Sequence, residues 1–213
     1  MLKKIELRIL EFLFEDLTTG YSMLQISKKL RISYPLTYNT IKFLVSKRIV
    51  SSEASGKSII IKINLQEIKK EHVYAEESRR DKLLEKQHKI KSIIEKLKKL
   101  NQIHFICVLF GSYAKQKAKP ESDIDLLFII PEEYYYERFD TNVKTLLTAS
   151  NVDINITPEK GLFEMWNTPK KFNVGNELLK GHITLTNTES FLELRRRYEY
   201  GWKRKQNDNR PIN

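Results

Sequence analysis

Cysteine is nearly absent from this chain of 213 residues, in which Cys107 is the single example. One cysteine excludes an internal disulfide and a zinc site built from several cysteines. Because Cys107 stands in the apolar run 104–110, we expect it to be a buried and unreactive thiol. The four histidines are scattered without the spacing of metal ligands, so we expect structural or solvent-exposed roles for them.

Long hydrophobic runs are also missing, since no apolar stretch approaches the roughly 20 residues needed to span a bilayer. The first segment, MLKKIELRILEFLFEDL, carries acidic residues inside its apolar pattern, which a secretion signal does not tolerate. Hydrophobic residues make up 40% of the chain, which is enough to build a core. These features predict a soluble, cytoplasmic protein without a membrane partner.

Acidic side chains are scarce in the first part of the chain and abundant in the middle. The net charge is +11. Residues 1–66 hold 11 basic and 5 acidic side chains, which gives +6, whereas residues 101–194 hold 9 and 13, which gives −4. A basic module predicts polyanion binding, and an acidic module beside it predicts carboxylates with another use, such as holding cations.

Residues 1–66 show three helical segments and then a hairpin. Apolar residues at helical spacing predict helices over 3–15 and 22–30. A serine N-cap and a proline in the first turn predict a third helix over about 33–47. Two β-rich stretches within 49–64 flank a glycine-containing turn, which predicts a hairpin.

This part of the chain resembles a winged helix-turn-helix domain through two segments, LQISKKLRISYPLTYNTIKFLVSKRIV and SSEASGKSIIIKI. In that family the third helix enters the major groove of DNA, and the hairpin wing reaches the backbone or the minor groove. The resemblance therefore implies DNA as a partner. The residues expected to contact it are Tyr34, Thr37, Tyr38, Asn39 and Lys42 on the third helix and Lys57 at the wing tip. The alternatives are a solvated polar face, or a module for protein interaction or dimerisation.

Residues 67–100 contain no glycine or proline and are rich in charged residues. Apolar residues recur every three or four positions, which predicts one long amphipathic connecting helix. Its apolar stripe is expected either to dock on the following domain or to pair with a second copy of the chain as a homodimer. The final residues, 201–213, are basic and polar, and we expect them to be a disordered tail.

The segment after residue 100 begins with a short apolar run over 103–110, which predicts a buried strand. The strand ends directly on Gly111 and Ser112, and a short helical segment follows over 113–117. A glycine at a strand end lets a ligand approach the backbone closely, and backbone NH groups at a helix start attract anions. The hydroxyl of Ser112 adds a donor for a phosphate oxygen.

Three aspartates follow on two predicted strands. Asp123 and Asp125 begin a β-prone segment, and their i, i+2 spacing directs both carboxylates to the same face. Two like charges on one face are unfavourable unless a cation lies between them, and magnesium prefers such oxygen ligands. Asp153 lies in a third short strand after a predicted helix over 132–149. An acid there can reach the same edge and complete a cluster of three carboxylates.

The stretch LFGSYAKQKAKPESDIDLLFII resembles the signature of the DNA polymerase beta nucleotidyltransferase superfamily, and is most similar to the minimal nucleotidyltransferases of prokaryotes. The resemblance implies a mixed α/β (α+β) fold over 101–200. It also implies a triphosphate bound through Gly111, Ser112, Lys115, Lys119 and Ser122, two Mg²⁺ ions on Asp123, Asp125 and Asp153, and Asp153 as the group that activates the acceptor hydroxyl. Lys115 and Lys119 stand where arginine is usual in that family, and Gln116 where glycine is usual.

By this resemblance the protein is expected to be an enzyme that moves a nucleoside monophosphate, AMP from ATP, to a hydroxyl of a protein or RNA acceptor. Minimal nucleotidyltransferases are often antitoxins that adenylylate a partner toxin, so the resemblance includes that role. The alternative is a transcription regulator whose nucleotidyltransferase-like domain only senses a nucleotide.

Overall fold

The computed structural model describes residues 2–56, 58–100, 104–132, 136–148 and 151–202, with the backbone alone for Trp202. The helices are α1 (Lys4–Phe14), α2 (Met23–Leu30), α3 (Tyr34–Ser46), α4 (Lys70–Lys86), α5 (His88–Leu97), α6 (Gly111–Ala114), α7 (Tyr136–Leu147), α8 (Glu159–Trp166), α9 (Val174–Leu179) and α10 (Thr188–Arg197), followed by a π-helical turn, Tyr198–Trp202. The strands are β1 (Tyr21–Ser22), β2 (Val50–Ser55), β3 (Ser58–Ile63), β4 (Ile106–Leu109), β5 (Ile124–Ile130), β6 (Val152–Pro158) and β7 (Ile183–Thr186).

The amino-terminal part packs α1, α2 and α3 against a small antiparallel sheet of strand order β1-β3-β2. Ser22 caps α2 by accepting a hydrogen bond from the Gln25 backbone, and Gly56 takes a positive φ of 57° beside the hairpin turn. The three helices and the hairpin lie where the sequence predicts them. Strand β1 was not predicted, because two residues carry no readable alternation and become a strand only by pairing with β3.

The second sheet has the strand order β6-β5-β4-β7. Strand β5 runs parallel to β6, whereas β4 is antiparallel to both of its neighbours. The predicted mixed sheet is therefore confirmed. All four residues of β4 are buried, and so are six of the seven in β5, because helices cover both faces of the sheet. The exception in β5 is Asp125.

The two faces of this sheet belong to different apolar cores. Leu127 and Ile129 face a core shared with α8, α9 and α10, which continues into the amino-terminal helices. Leu126 and Phe128 face a second core built with α5 and α7. In that core the rings of Phe128 and Phe139 lie 5.6 Å apart. The alternation of side chains along β5 thus determines which helices pack on each face of the sheet.

Residues 67–100 do not form the single long helix that the sequence predicted. They form α4 and α5, separated at Gln87, whose φ of −122° and ψ of 81° lie outside the helical region. The break redirects the chain, so that α4 contacts α1 and β7 while α5 packs on α7. Ile90, Ile93 and Leu97 are buried there. The apolar stripe is therefore packed within the chain, which is one of its two expected uses, and a homodimer through residues 67–100 stays a prediction.

A buried polar network joins α4 to β7. The carboxylate of Glu76 is fully buried and accepts hydrogen bonds from the Arg79 guanidinium and from the backbone NH of Thr184. Arg79 also donates to the carbonyl of His182 at 2.8 Å. Burial raises the pKa of Glu76, but the charge of Arg79, the neighbouring His182 and the hydrogen bonds from Thr184 and Arg79 together outweigh this effect, so the pKa is lowered. Burial lowers the pKa of His182 to about 4, so its ring is neutral near pH 7.

Cys107 is fully buried, and burial raises the pKa of its thiol. The expectation of a buried cysteine is therefore confirmed, and the raised pKa disfavours the reactive thiolate. Within the described residues, no helix has both the length and the apolar character needed to cross a membrane.

Candidate active site

The turn after β4 is held against the first residues of β5. The backbone NH of Phe110 donates to the carbonyl of Asp125 at 3.0 Å, and the backbone NH of Ser112 donates to the Asp125 carboxylate. Gly111 has a φ of 67°, and a Cβ atom added to it would lie 1.9 Å from Oδ2 of Asp125. Only glycine allows this approach, since it has no side chain and tolerates positive φ. The glycine-serine turn therefore positions a carboxylate.

Two of the three predicted aspartates are direct partners in the sheet. Asp125 of β5 and Asp153 of β6 are Cα partners in a parallel register, so their side chains leave the same face. Asp123 lies two residues before Asp125, just ahead of β5. Asp123 and Asp153 are exposed, whereas Asp125 is half-buried. The structure thus brings the three predicted acids to one edge of the sheet.

The carboxylates influence each other electrostatically. Partial burial raises the pKa of Asp125, and the nearby charges of Asp153 and Asp123 raise it further. The hydrogen bond from the Ser112 backbone opposes this shift without cancelling it. A cation shared by these groups would remove the repulsion and favour the ionised form of Asp125.

The donor chemistry at this edge fits a magnesium ion, because Mg²⁺ takes one or two carboxylates and completes its shell with water and phosphate oxygens. Across the described parts of the chain, however, no group of three or more His, Cys, Asp or Glu side chains is gathered closely enough to hold a metal. Asp125 and Asp153 are paired in the sheet register, and a catalytic Mg²⁺ is commonly held by one or two carboxylates together with substrate phosphates.

The other predicted phosphate ligands have partners of their own. Nζ of Lys115 lies 3.2 Å from a carboxylate oxygen of Glu177. The hydroxyl of Ser122 accepts a hydrogen bond from the backbone NH of Lys119 at 2.9 Å and so closes the loop before β5. The Lys119 side chain is exposed. Ser112 differs from them in that its backbone NH is hydrogen-bonded to the Asp125 carboxylate.

Gln116 adopts the left-handed backbone conformation, with a φ of 53°. This is the position at which the resemblance leads one to expect glycine, and the geometry explains why, because glycine alone takes positive φ without steric cost. The backbone path of the loop is therefore the one that a glycine would favour, although the residue is different.

Asn155 is a site residue that the sequence analysis missed. Its Nδ2 donates to Oδ2 of Asp153 at 3.2 Å, and the two residues are two positions apart on β6, hence on the same face. The hydrogen bond restricts the orientation of the Asp153 carboxylate. The alternation in Val152-Asp153-Ile154-Asn155 was the available signal, since two polar residues at i and i+2 between β-branched neighbours share one face of a strand.

A cleft of about 910 Å³ borders the loop that follows the glycine-serine turn. Its lining comes from residues 113–118, from α4 and from the end of α1. Acidic side chains are contributed by Glu11, Glu15 and Asp16, and basic ones by Lys115 and Lys117 of the loop. The lining therefore carries charges of both signs. Burial raises the pKa of Glu15.

On α3, most of the predicted DNA-contacting residues are exposed. Tyr34, Tyr38, Asn39 and Lys42 all face solvent. Thr37 does not, because it is fully buried and its hydroxyl donates to the carbonyl of Ser33 at 3.0 Å. The prediction for Thr37 was therefore wrong. A threonine hydroxyl on a helix bonds readily to the carbonyl one turn earlier, so the side chain can be buried with its polar group satisfied.

The remaining predicted contact, Lys57, lies outside the described residues, as do residues 203–213 of the predicted tail.

Comparison with known families agrees with the site. Residues 89–173 match the family model described as polymerase beta, nucleotidyltransferase. The match covers nearly all of α5, the glycine-serine turn and the three aspartates. It supports a nucleotidyltransferase domain of that superfamily in this part of the chain, and with it a transferase that acts by nucleotidyl transfer. A search of curated proteins found no relative of the chain.

The close approach of Gly111 to Asp125 gives a prediction with an internal control. Gly111→Ala places a methyl group where Oδ2 of Asp125 now lies, so we expect about a hundredfold loss of transfer activity, because a displacement of about 1 Å can have this effect. Gly56→Ala has a similar positive φ but meets no atom within 4 Å. We expect it to lose only about 1–2 kcal/mol of stability from backbone strain, with full activity.

The measurements are initial transfer rates and urea denaturation of both alanine variants beside the parent. Equal activity of the two variants would contradict the role given to Gly111.

Proposed function

We propose that this protein is a magnesium-dependent nucleotidyltransferase that moves a nucleoside monophosphate, AMP from ATP, to a hydroxyl group of a protein or RNA acceptor. The observation that carries the proposal is the pairing of Asp125 with Asp153 on adjacent parallel strands, with Asp125 held by the backbone of Ser112. This pairing falls within the segment that matches the polymerase beta family.

In the proposed mechanism, the acceptor oxygen attacks the α-phosphorus of ATP, the bond from that phosphorus to the oxygen bridging the β-phosphate breaks, and pyrophosphate leaves. Asp123, Asp125 and Asp153 would hold Mg²⁺, which would lower the pKa of the acceptor hydroxyl and neutralise charge on the triphosphate. Gly111 leaves room for the Asp125 carboxylate. The hydroxyl of Ser112 donates to a phosphate oxygen, since its backbone NH is already engaged by Asp125. Asp153, oriented by Asn155, accepts the proton of the attacking hydroxyl.

We further propose that residues 1–66 are a winged helix-turn-helix domain that binds nucleic acid, with DNA as the expected partner, through α3. The support is the order of helices and hairpin, the charge of this segment and the exposure of Tyr34, Tyr38, Asn39 and Lys42. A role as an antitoxin that adenylylates a partner toxin rests on the resemblance to minimal nucleotidyltransferases.

A second candidate function is a regulator whose nucleotidyltransferase domain binds a nucleotide without transferring it. One observation favours it: Lys115, expected to contact phosphate, is paired with Glu177. Such a protein would bind ATP and alter nucleic-acid binding, but would label no acceptor.

The test incubates the purified full chain with each of the four ribonucleoside triphosphates, α-³²P-labelled, together with MgCl₂ and either total cell RNA or a protein lysate. We expect label to move to one acceptor class, with ATP as the best donor. Chelation by EDTA should stop the transfer, and added Mg²⁺ should restore it. ATP binding by calorimetry without any labelled acceptor would overturn the transferase proposal in favour of the second candidate.

A further inference from the structure

Helix α3 exposes large apolar side chains in two rows. Tyr34 is 48% exposed and Tyr38 is 40% exposed, and they stand one helical turn apart. Leu36 and Phe43, 45% and 44% exposed, form a second row on the other side of Asn39. Large apolar side chains that are exposed on two sides of one helix mark a surface that contacts another molecule.

A lysine accompanies the aromatic side chain in each row. Nζ of Lys42 lies 5.4 Å from the ring centre of Tyr38, and Nζ of Lys47 lies 5.7 Å from the ring centre of Phe43. Each ammonium group lies over an aromatic ring, so both rows combine an aromatic side chain with a positive charge. Aromatic rings with nearby cations are the combination that binds unpaired nucleotides, because the base stacks on the ring while the phosphate meets the cation.

The charged residues in the sequence segment that contains α3 are all basic. Residues 17–52 contain six lysine and arginine residues and no aspartate or glutamate. A surface that recognised another protein through an apolar patch would not need so uniform a charge, whereas a polyanion does. The positive charge therefore favours nucleic acid over a protein partner.

The chemistry of the exposed face fits unpaired bases better than a duplex groove. Base edges in the major groove are read by hydrogen bonds, chiefly from arginine, lysine, asparagine and glutamine. Helix α3 contains no arginine or glutamine, and only Asn39 and Lys42 supply such groups. The rings of Tyr34 and Tyr38 lie 6.4 Å apart with a 31° tilt, close to twice the spacing of about 3.4 Å between stacked bases.

We propose that α3 is a stacking platform for single-stranded nucleic acid, in which Tyr34, Tyr38 and Phe43 contact bases while Lys42 and Lys47 contact phosphates. The inference rests on the proposed nucleic-acid role of residues 1–66 and narrows the form of the nucleic acid that is bound. Recognition of this kind tolerates many sequences, because every base has a face that can stack.

The test measures binding of the full chain to fluorescent oligo(dT), oligo(U) and a mixed-sequence DNA duplex, each about 20 nucleotides long, enough for several bases to engage. We expect the single strands to bind about tenfold more tightly than the duplex. The affinities for oligo(dT) and oligo(U) show whether DNA or RNA is preferred. Tyr38→Ala should weaken single-strand binding about tenfold, whereas Tyr38→Phe should keep most of it because the ring remains. Binding should weaken as salt rises.

Tyr74→Ala is the matched control, since Tyr74 is 51% exposed but lies on α4. It should bind single strands like the parent. Tighter binding of the duplex would overturn the platform while leaving the nucleic-acid role of residues 1–66 intact. Absence of binding to all three probes would overturn both. A self-association that Tyr38→Ala abolishes, without nucleic-acid binding, would assign the surface to a second copy of the chain and also overturn the platform.

Discussion

Replacing Asp123 and Asp125 together by asparagine is expected to lower the rate of nucleotidyl transfer at least about a thousandfold, since Mg²⁺ contributes several kcal/mol of charge stabilisation and each 1.36 kcal/mol is a factor of ten. The two carboxylates supply most of the negative charge at the sheet edge. Asparagine keeps the shape of both side chains but has no charge with which to hold Mg²⁺. The measurement is the initial rate of label transfer from ATP at saturating Mg²⁺.

The fold is expected to survive this double change. Asp123 is exposed, and the burial of Asp125 together with the neighbouring carboxylates already disfavours its charge, so removing the charges relieves repulsion. The thermal midpoint should therefore equal or exceed that of the parent. Asp81→Asn is the control, because Asp81 is 64% exposed on α4, away from this sheet edge, and its loss should leave the rate unchanged. If the double variant turned over substrate like the parent, the active site could not lie at these two aspartates.

Replacing Glu76 by alanine is expected to lower the free energy of unfolding by about 3–5 kcal/mol, the usual effect of removing one partner from a buried ion pair. The change leaves the Arg79 guanidinium buried without its carboxylate and leaves the backbone NH of Thr184 without an acceptor. Both groups lie where α4 meets β7, so the contact between α4 and β7 should weaken first. Urea denaturation followed by circular dichroism measures the loss, and limited proteolysis locates it.

The neighbouring residue gives a matched control for this experiment. Glu77 is 41% exposed, and its only ion pair described, with Arg80, spans 3.7 Å. Exposed pairs contribute little, so Glu77→Ala should change the free energy of unfolding by less than about 1 kcal/mol. If Glu76→Ala were as mild as Glu77→Ala, the buried network would not be what joins α4 to β7.

Local chemistry was sufficient to predict most of the helices and strands. Ser22 caps α2 and a proline stands in the first turn of α3, and both signals are readable because they act within four residues along the chain. The prediction failed at Gln87, where residues of good helical propensity leave the helix. The apolar stripe continues on both sides of this position, so local signals give no warning, and the two helices have different tertiary partners.

At the candidate site, too, local signals were readable in the sequence and tertiary contacts were not. The spacing of Gly111, Ser112, Asp123 and Asp125 belongs to one short segment and could be recognised in the sequence. The contributions of Asn155 and Glu177 could not be ranked in advance, because a hydrogen bond to Asp153 or an ion pair with Lys115 depends on side-chain directions in three dimensions.

The sequence by itself determined that a glycine-serine turn and closely spaced aspartates occur on neighbouring elements of a mixed fold, because periodicity, turn chemistry and motif spacing are properties of adjacent residues. Tertiary structure alone decided that Asp125 and Asp153 are register partners, that Thr37 points inward, and that Glu76 reaches β7 across 108 positions of the chain. Strand register and burial are set by the packing of distant segments, and no local pattern encodes them uniquely.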